Sequence, residues 1–257
     1  MTAAYQTPWL HIGPASPGAP RLLCVPYSAK GASLFRDWPQ LLGAAAEVGS
    51  VQLPGREDRL TERPVDRVDD LLAELVPAVL PWVRDSPFVL FGHCMGALVG
   101  SELAMALSRD HHIQPDAIVL SGGIPAWQDK SRFDLSGLSD AELVREMRQR
   151  GALSPQVLAE PALLALMLPA ARADSALCED IRRRGRPEKA ALDCPLTLYA
   201  ARDDPRFAPE EMRGWEALTG KQATLRIFDG NHEFLDDDQG TVVEALRAIL
   251  PTVDAPL

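Results

Sequence analysis

Lysine is scarce in this sequence: of 26 basic residues, only Lys30, Lys130, Lys189 and Lys221 are lysines. At a net charge of -10 the chain lacks the basic surface that phosphate contacts demand, which argues against a general nucleic-acid binder. Cysteine is also sparse. Cys24, Cys94, Cys178 and Cys194 include no Cys-x-x-Cys spacing, so a disulfide framework and a cysteine metal site are not expected, and reduced thiols in a cytoplasmic protein fit better. No run of about 18 apolar residues occurs, and the first residues carry neither a basic n-region nor a long apolar core, so a soluble, unexported chain with no membrane partner is expected. His11, His93, His111 and His112 have no metal-ligand partner at useful spacing. With no dinucleotide fingerprint or phosphate loop either, neither metal nor organic cofactor is implied.

What the chain has is enough apolar material for one sizeable core, at 46% hydrophobic over 257 residues, so a single domain over 1–257 is expected. Short apolar runs bounded by turn residues recur: "RLLCVPY", "AEVGSVQLPG", "PFVLFG", "DAIVLSGG", "CPLTLYA" and "ATLRIFDG". Apolar on successive residues, they suit strands buried on both faces. Helix-length segments such as "VDDLLAELVPAVLPWVRD" and "MGALVGSELAMALSRD" alternate with them, which predicts an α/β fold with a mostly parallel central sheet flanked by helices. Pro77 and Pro81 leave the end of the first helix uncertain. The Pro/Gly-rich first twenty residues read as an arm. Between about Asp129 and Arg186 no strand is evident. Ser139 and Glu142 form a capping-box pattern, the helix they open stops at Gly151, and a Ser-Pro start precedes the proline-interrupted cluster Leu163, Leu164, Leu166, Met167 and Leu168. A helical insertion over 129–186 is expected, either a lid over the strand ends or an ordinary covering layer.

The chemistry centres on "FVLFGHCMGAL". An apolar strand, then Gly92-His93-Cys94-Met95-Gly96, then a small-residue helix make a G-x-nucleophile-x-G elbow, with Cys94 exposed at a strained strand-to-helix turn. Gly92 and Gly96 would remove side chains that collide with neighbouring backbone. The helix N-terminus favours a thiolate or oxyanion, and Met95 would offer its backbone N–H to an oxyanion hole. Taken alone the motif is weak, because a cysteine beside an apolar strand is usually core. The chain order strengthens it: Asp203-Asp204 follows one later strand and His232 follows the next, the order of nucleophile, acid and histidine in α/β-hydrolases.

The sequence resembles the type II thioesterases that accompany modular polyketide and nonribosomal peptide synthetases, within the α/β-hydrolase superfamily. The resemblance rests on "LLCVPYSAKGASLFRDW", "LPGREDR", "PFVLFGHCMGALVGSELA", "LSDAELV", "LLALMLPAARADSAL", "DDP" and "FDGNHEFL" in order. It implies hydrolysis of acyl groups from the phosphopantetheine arm of carrier proteins, with Cys94 as nucleophile, His232 as general base and Asp204 as the acid, Asp203 being the fallback. It aligns Ser28 with the second oxyanion donor through its backbone N–H, and makes Asp174 a further carboxylate of the lid, whose other reading is a helix-terminus cap. Three departures stand out: cysteine replaces the usual serine, "SAK" (Ser28 to Lys30) replaces a glycine pair, and Glu233 follows the histidine, where it would favour imidazolium.

A thiol paired with histidine is a good nucleophile, but its acyl-enzyme is itself a thioester and its longer bond to sulfur shifts the carbonyl, so a slow but competent hydrolase is expected. The competing readings are acyl transfer to an amine or alcohol, a retired or acyl-trapping variant that binds carrier protein, and a small-molecule esterase. Carrier proteins are usually acidic, and Arg182, Arg183, Arg184 and Arg186 are the candidate docking patch.

Overall fold

The computed structural model describes residues 5–14, 18–128, 135, 137–149, 157 and 159–251. In chain order the strands are β1 (Leu10–Ile12), β2 (Arg21–Val25), β3 (Glu47–Val51), β4 (Phe88–His93), β5 (Ala117–Ser121), β6 (Leu196–Ala201) and β7 (Ala223–Phe228). The helices are α1 (Trp38–Leu42), α2 (Val68–Val83), α3 (Met95–His111), α4 (Asp140–Gln149), α5 (Pro161–Arg184), α6 (Phe234–Asp237) and α7 (Gln239–Arg247). The sheet order is β1-β3-β2-β4-β5-β6-β7, and every pairing except the antiparallel β1·β3 is parallel. This is the expected α/β class.

The alternation of side chains along each strand explains the two-sided core. Leu23, Val25, Leu90, Ile118, Leu120 and Leu198 point to one face, where they pack with α2 and α3 residues such as Leu75, Val79 and Leu103. Leu22, Cys24, Val89, Phe91, Val119 and Tyr199 point to the other, against Phe35, Trp38, Val242 and Leu246. Each such fully buried side chain contributes roughly 1.5–3 kcal/mol, so the central strands are fixed from both sides and their C-terminal ends form a stable platform.

Three elements differ from expectation. The arm contains β1, and its Leu10 and the preceding Trp9 are buried; a three-residue strand between prolines and glycines carries too little periodicity to be read. Helix α2 runs on to Val83 through Pro77 and Pro81, and α5 is continuous through Pro169. All three prolines are exposed, as are Ala73, Pro77 and Ala165, whose carbonyls lose an intrahelical partner, so water satisfies what the rings remove. By length and apolar content alone α5 would pass for a membrane span, yet its Asp174 and Glu179 are buried within the domain.

Between 129 and 186 the described residues contain helix and no strand. The capping box is formed: the Ser139 N–H donates to Glu142 Oε2 at 2.8 Å, and the Glu142 N–H to Ser139 Oγ at 3.4 Å. The Gly151 stop and the Ser154-Pro155 start lie outside the described residues. Leu164, Met167 and Leu168 pack with Leu143, Met147 and Ala171 into a small separate cluster, whereas Leu163 and Leu166 are exposed.

Candidate active site

Cys94 leaves β4 at φ 53°, ψ -115°. This is a left-handed backbone that costs a side-chain-bearing residue roughly 1–3 kcal/mol and turns its thiol outward at the start of α3. The flanking glycines have a direct steric reason. A Cβ on Gly92 would stand 2.1 Å from the Gly96 carbonyl oxygen, and one on Gly96 would stand 2.1 Å from that of Val25. The turn is pinned by the Cys94 N–H donating to the Ser121 carbonyl at 2.8 Å, and the Met95 N–H is directed at the Cys94 sulfur.

Asp204 lies just beyond β6. Its Oδ1 accepts the backbone N–H groups of Arg206 (2.8 Å) and Phe207 (3.3 Å), and its Oδ2 meets His232 Nδ1 at 2.7 Å. The Asp204 side chain is 2% exposed. Asp203 faces solvent, with its N–H on the Gly230 carbonyl at 2.9 Å. Of the two aspartates, then, the structure brings Asp204 to the histidine. Gly230, at φ 103°, turns the chain after β7 so that His232 comes back over the strand ends.

His232 also shares a side-chain hydrogen bond with Cys94. Burial pushes the imidazole down, but the Cys94 thiolate and the Asp204 carboxylate outweigh it and raise its pKa to about 9. Burial likewise pushes the thiol up, while the charge and hydrogen bond of His232, the Arg206 guanidinium and the Met95 N–H carry it below its ordinary value. Thiolate and imidazolium therefore stabilise one another. Glu233, expected to act on the histidine, bears on Tyr27 instead, where it adds to burial and Asp236 in holding the phenol protonated.

His93 stands within the elbow as a packed, hydrogen-bonded residue. It is buried, its Nδ1 lies 2.9 Å from Ser121 Oγ, and it is hydrogen-bonded to the His232 backbone. Burial and the neighbouring His232 keep it neutral. His112 takes a left-handed conformation and caps α3 through its N–H on the Ser108 carbonyl at 3.2 Å.

Ser28 lines the cavities on both sides of Cys94. It sits in a turn closed by the Lys30 N–H on the Tyr27 carbonyl at 3.1 Å, with Ala29 at φ 62° where a glycine would be at ease. Asp174 is neither the histidine's partner nor a helix-end cap. It stands mid-helix on α5, 1% exposed, in a bidentate pair with Arg56 (2.8 and 3.0 Å), and it accepts the Ala29 N–H at 2.7 Å and the Ser28 hydroxyl at 3.0 Å.

Cys94 opens on two cavities. One, of about 110 Å³, is largely apolar and walled by Leu98, Leu135, Leu143, Met147, Ala171 and Phe207. The other, of about 150 Å³, has an apolar majority to its surface as well but carries the polar groups of Tyr27, Lys30, His232, Glu233 and Asp236 at its walls. Arg206 lines both. Sequence reasoning missed it; the signal was its place two residues beyond the acid in "DDPRF". In the arginine patch Arg186 is exposed, while its three neighbours have acidic partners. Arg182 and Arg183 pair with Glu179 at 2.8 and 3.4 Å, and Arg184 pairs with Asp69 and Glu102. Among the described residues no cluster of three or more His, Cys, Asp or Glu is arranged to hold a metal ion.

Comparison with known proteins bears on this geometry. The thioesterase domain family matches residues 20–250. Thioesterase PikA5 of Streptomyces venezuelae is 32% identical over 87% of this chain and 78% of its own length. The gramicidin S biosynthesis protein GrsT of Aneurinibacillus migulanus is 28% identical over 92% of this chain and 91% of its own. Among solved structures, the type II thioesterase BorB from the borrelidin biosynthetic cluster superposes with a TM-score of 0.84 at 31% identity, covering 97% of this chain and all of BorB (100%).

Proposed function

The chain belongs to the thioesterase family, and from that premise we propose that it hydrolyses acyl groups from the phosphopantetheine arms of acyl or peptidyl carrier proteins, clearing stalled or aberrant units in polyketide or nonribosomal peptide biosynthesis. The observation that carries the reading is the convergence of Cys94, His232 and Asp204 beside two cavities, one apolar and one with hydrogen-bonding groups at its walls. The first suits the acyl chain, and the polar groups of the second suit the amides of the pantetheine arm. In this reading α4 and α5, within the 129–186 insertion, act as a lid whose inner face walls the acyl cavity. Four free cysteines suit work in a reducing cytoplasm.

The reaction starts from the thiolate–imidazolium pair. Cys94 Sγ attacks the thioester carbonyl carbon, and the developing oxyanion is met by the N–H groups of Met95 and Ser28. The bond to the pantetheine sulfur breaks, and that thiolate leaves with the proton from His232, so an acyl-cysteine and a neutral imidazole remain. Acylation removes the thiolate charge that held the imidazole pKa up, so His232 is then suited to take a proton from water. Hydroxide adds to the acyl carbon, the carbon–sulfur bond to Cys94 breaks, and free acid departs as the ion pair is restored. Asp204 keeps His232 in the required tautomer throughout.

The test is a mass-spectrometric panel of acyl carrier thioesters, read as both free acid and acyl-enzyme. Hydrolysis with transient acylation of Cys94 is expected, and Cys94→Ala should abolish both. Unchanged hydrolysis by Cys94→Ala would overturn the mechanism. A product partition favouring an added amine over water would make the chain an acyltransferase.

A further inference from the structure

We propose that Asp174 is a positioning residue for this reaction: anchored by Arg56, its buried carboxylate holds the Ser28–Ala29 peptide so that the Ser28 N–H faces the developing oxyanion. The inference rests on the roles given above to Cys94 and Ser28.

Ala29 occupies a φ of 62° without being glycine, so something must hold it there. Asp174 supplies the hold. Its Oδ2 accepts the Ala29 N–H at 2.7 Å and the Ser28 hydroxyl at 3.0 Å, while Arg56 grips both carboxylate oxygens at 2.8 and 3.0 Å. These bonds fix the 28–29 peptide plane and the Ser28 side chain about the Ser28 Cα, and through that atom they restrict the rotation that sets where the Ser28 N–H, part of the 27–28 peptide, points. A buried ion pair is a poor source of stability because both charges lose their water. With side chains 1% and 5% exposed, this pair is better explained by the geometry it imposes than by the energy it adds.

The position on α5 adds a second consequence. Ala171, Asp174, Ser175 and Cys178 lie on one helical face by their three- and four-residue spacing, and all four line the apolar cavity beside Cys94. The helix face that would touch the acyl chain is therefore the one that holds the oxyanion loop.

The experiment compares two reactions of the full-length chain. Hydrolysis of butyryl-pantetheine needs the oxyanion site, whereas alkylation of Cys94 by iodoacetamide needs only the thiolate. For Asp174→Asn, kcat should fall roughly 10- to 100-fold, below the full cost of losing an oxyanion donor. KM and the alkylation rate should stay within about threefold, a span far smaller than that expected kcat loss. Adding Ala29→Gly should recover at least about fivefold in kcat, because glycine reaches positive φ without a side-chain penalty. Should Asp174→Asn not fold, the Asp174→Asn/Arg56→Gln pair, which strands no buried charge, takes its place. An unchanged kcat overturns the proposal. So does a joint fall of hydrolysis and alkylation that Ala29→Gly does not rescue, since that marks a purely structural pair. Failure of the wild-type chain to cleave the thioester would instead sink the thioesterase mechanism itself, and this inference with it.

Discussion

Asp204 and His232, 28 residues apart in sequence, meet at 2.7 Å between Oδ2 and Nδ1, while the other oxygen of Asp204 is held by two backbone N–H groups. A carboxylate fixed on both sides can orient the imidazole without moving. Asp204→Asn keeps the shape but presents the wrong hydrogen-bonding partner to Nδ1, and turnover should drop by roughly two to four orders of magnitude. Asp203→Asn, on an exposed side chain, should stay within about threefold, in line with the small effects of surface substitutions. Steady-state hydrolysis of one pantetheine thioester by both variants checks the pair, and equal losses would remove the distinction between the two aspartates.

The charge state of the nucleophile is measurable without substrate. Any thiol alkylates faster as pH rises, so the position of the inflection is what matters. Cys94 should titrate below the ordinary cysteine range, since His232, Arg206 and the Met95 N–H together overcome its burial. Cys178, on the same cavity, is pushed up by burial and by the Cys94 charge, and should react only at higher pH. His232→Gln should move the Cys94 inflection upward. Iodoacetamide rates from pH 5 to 10, with peptide mapping to assign the modified cysteine, make the measurement. An inflection that His232→Gln leaves in place would dissolve the ion pair.

The same pair has a linked effect on stability. His232 stands at about 9 in the folded chain against an ordinary 6.5. A histidine raised in this way contributes stability that is whole below about pH 6.5 and lost as pH climbs through about 9. Cys94, lowered by the same pair, contributes in the opposite sense, its share growing up to its unfolded value. The two offset, so the wild-type melting temperature should stay nearly level from pH 7 to about 9, and a steady fall over that range would mean that the two groups do not titrate as a pair.

How much of this was legible beforehand follows from the physics of each feature. The elbow was legible because its glycines answer a steric demand local to five residues, and the order of Cys94, Asp204 and His232 was legible because each follows a strand end. The choice of Asp204 over Asp203 came from a resemblance, and it is the Asp204 carboxylate that lies 2.7 Å from His232. The contact of Arg56 with Asp174 spans 118 residues and left no local pattern. Arg206 stood two residues beyond the acid, but whether it faces the site depends on which way the turn carries it. Helix α5 was misread at Pro169 because the cost of a proline depends on whether water reaches the freed carbonyl, which the sequence does not reveal.

The elbow glycines separate a steric requirement from mere smallness. A Cβ on Gly96 would meet backbone of β2 at 2.1 Å, whereas one on Gly100 would meet the flexible Leu90 Cδ2 at 2.7 Å. Backbone cannot yield as a leucine tip can. Gly96→Ala should therefore cost about 3 kcal/mol or more, and Gly100→Ala about 1 kcal/mol. Urea unfolding at constant m-value gives both numbers, and a tolerant Gly96 would mean that β2 and α3 are less tightly joined than the contacts indicate.

Sulfur at the nucleophile position decides which step is slow. Attack by Cys94 exchanges one thioester for another, so the first step has little driving force, and the step that releases free acid must break an acyl-cysteine in a hole whose fit depends on the longer carbon–sulfur bond. A misplacement of roughly 1 Å is worth on the order of a hundredfold in rate. Deacylation should therefore limit turnover, and acyl-enzyme should accumulate on Cys94 in the steady state. Cys94→Ser shortens the bond to the acyl carbon and so brings the carbonyl oxygen of the acyl-enzyme closer to the oxyanion donors. Its acyl-enzyme should not accumulate, and its turnover should rise by about tenfold, a modest share of that misplacement cost. Intact-protein mass spectrometry during turnover, run beside free-acid release, distinguishes the outcomes. An acyl-serine that accumulates as the acyl-cysteine does would place the slow step outside the nucleophile.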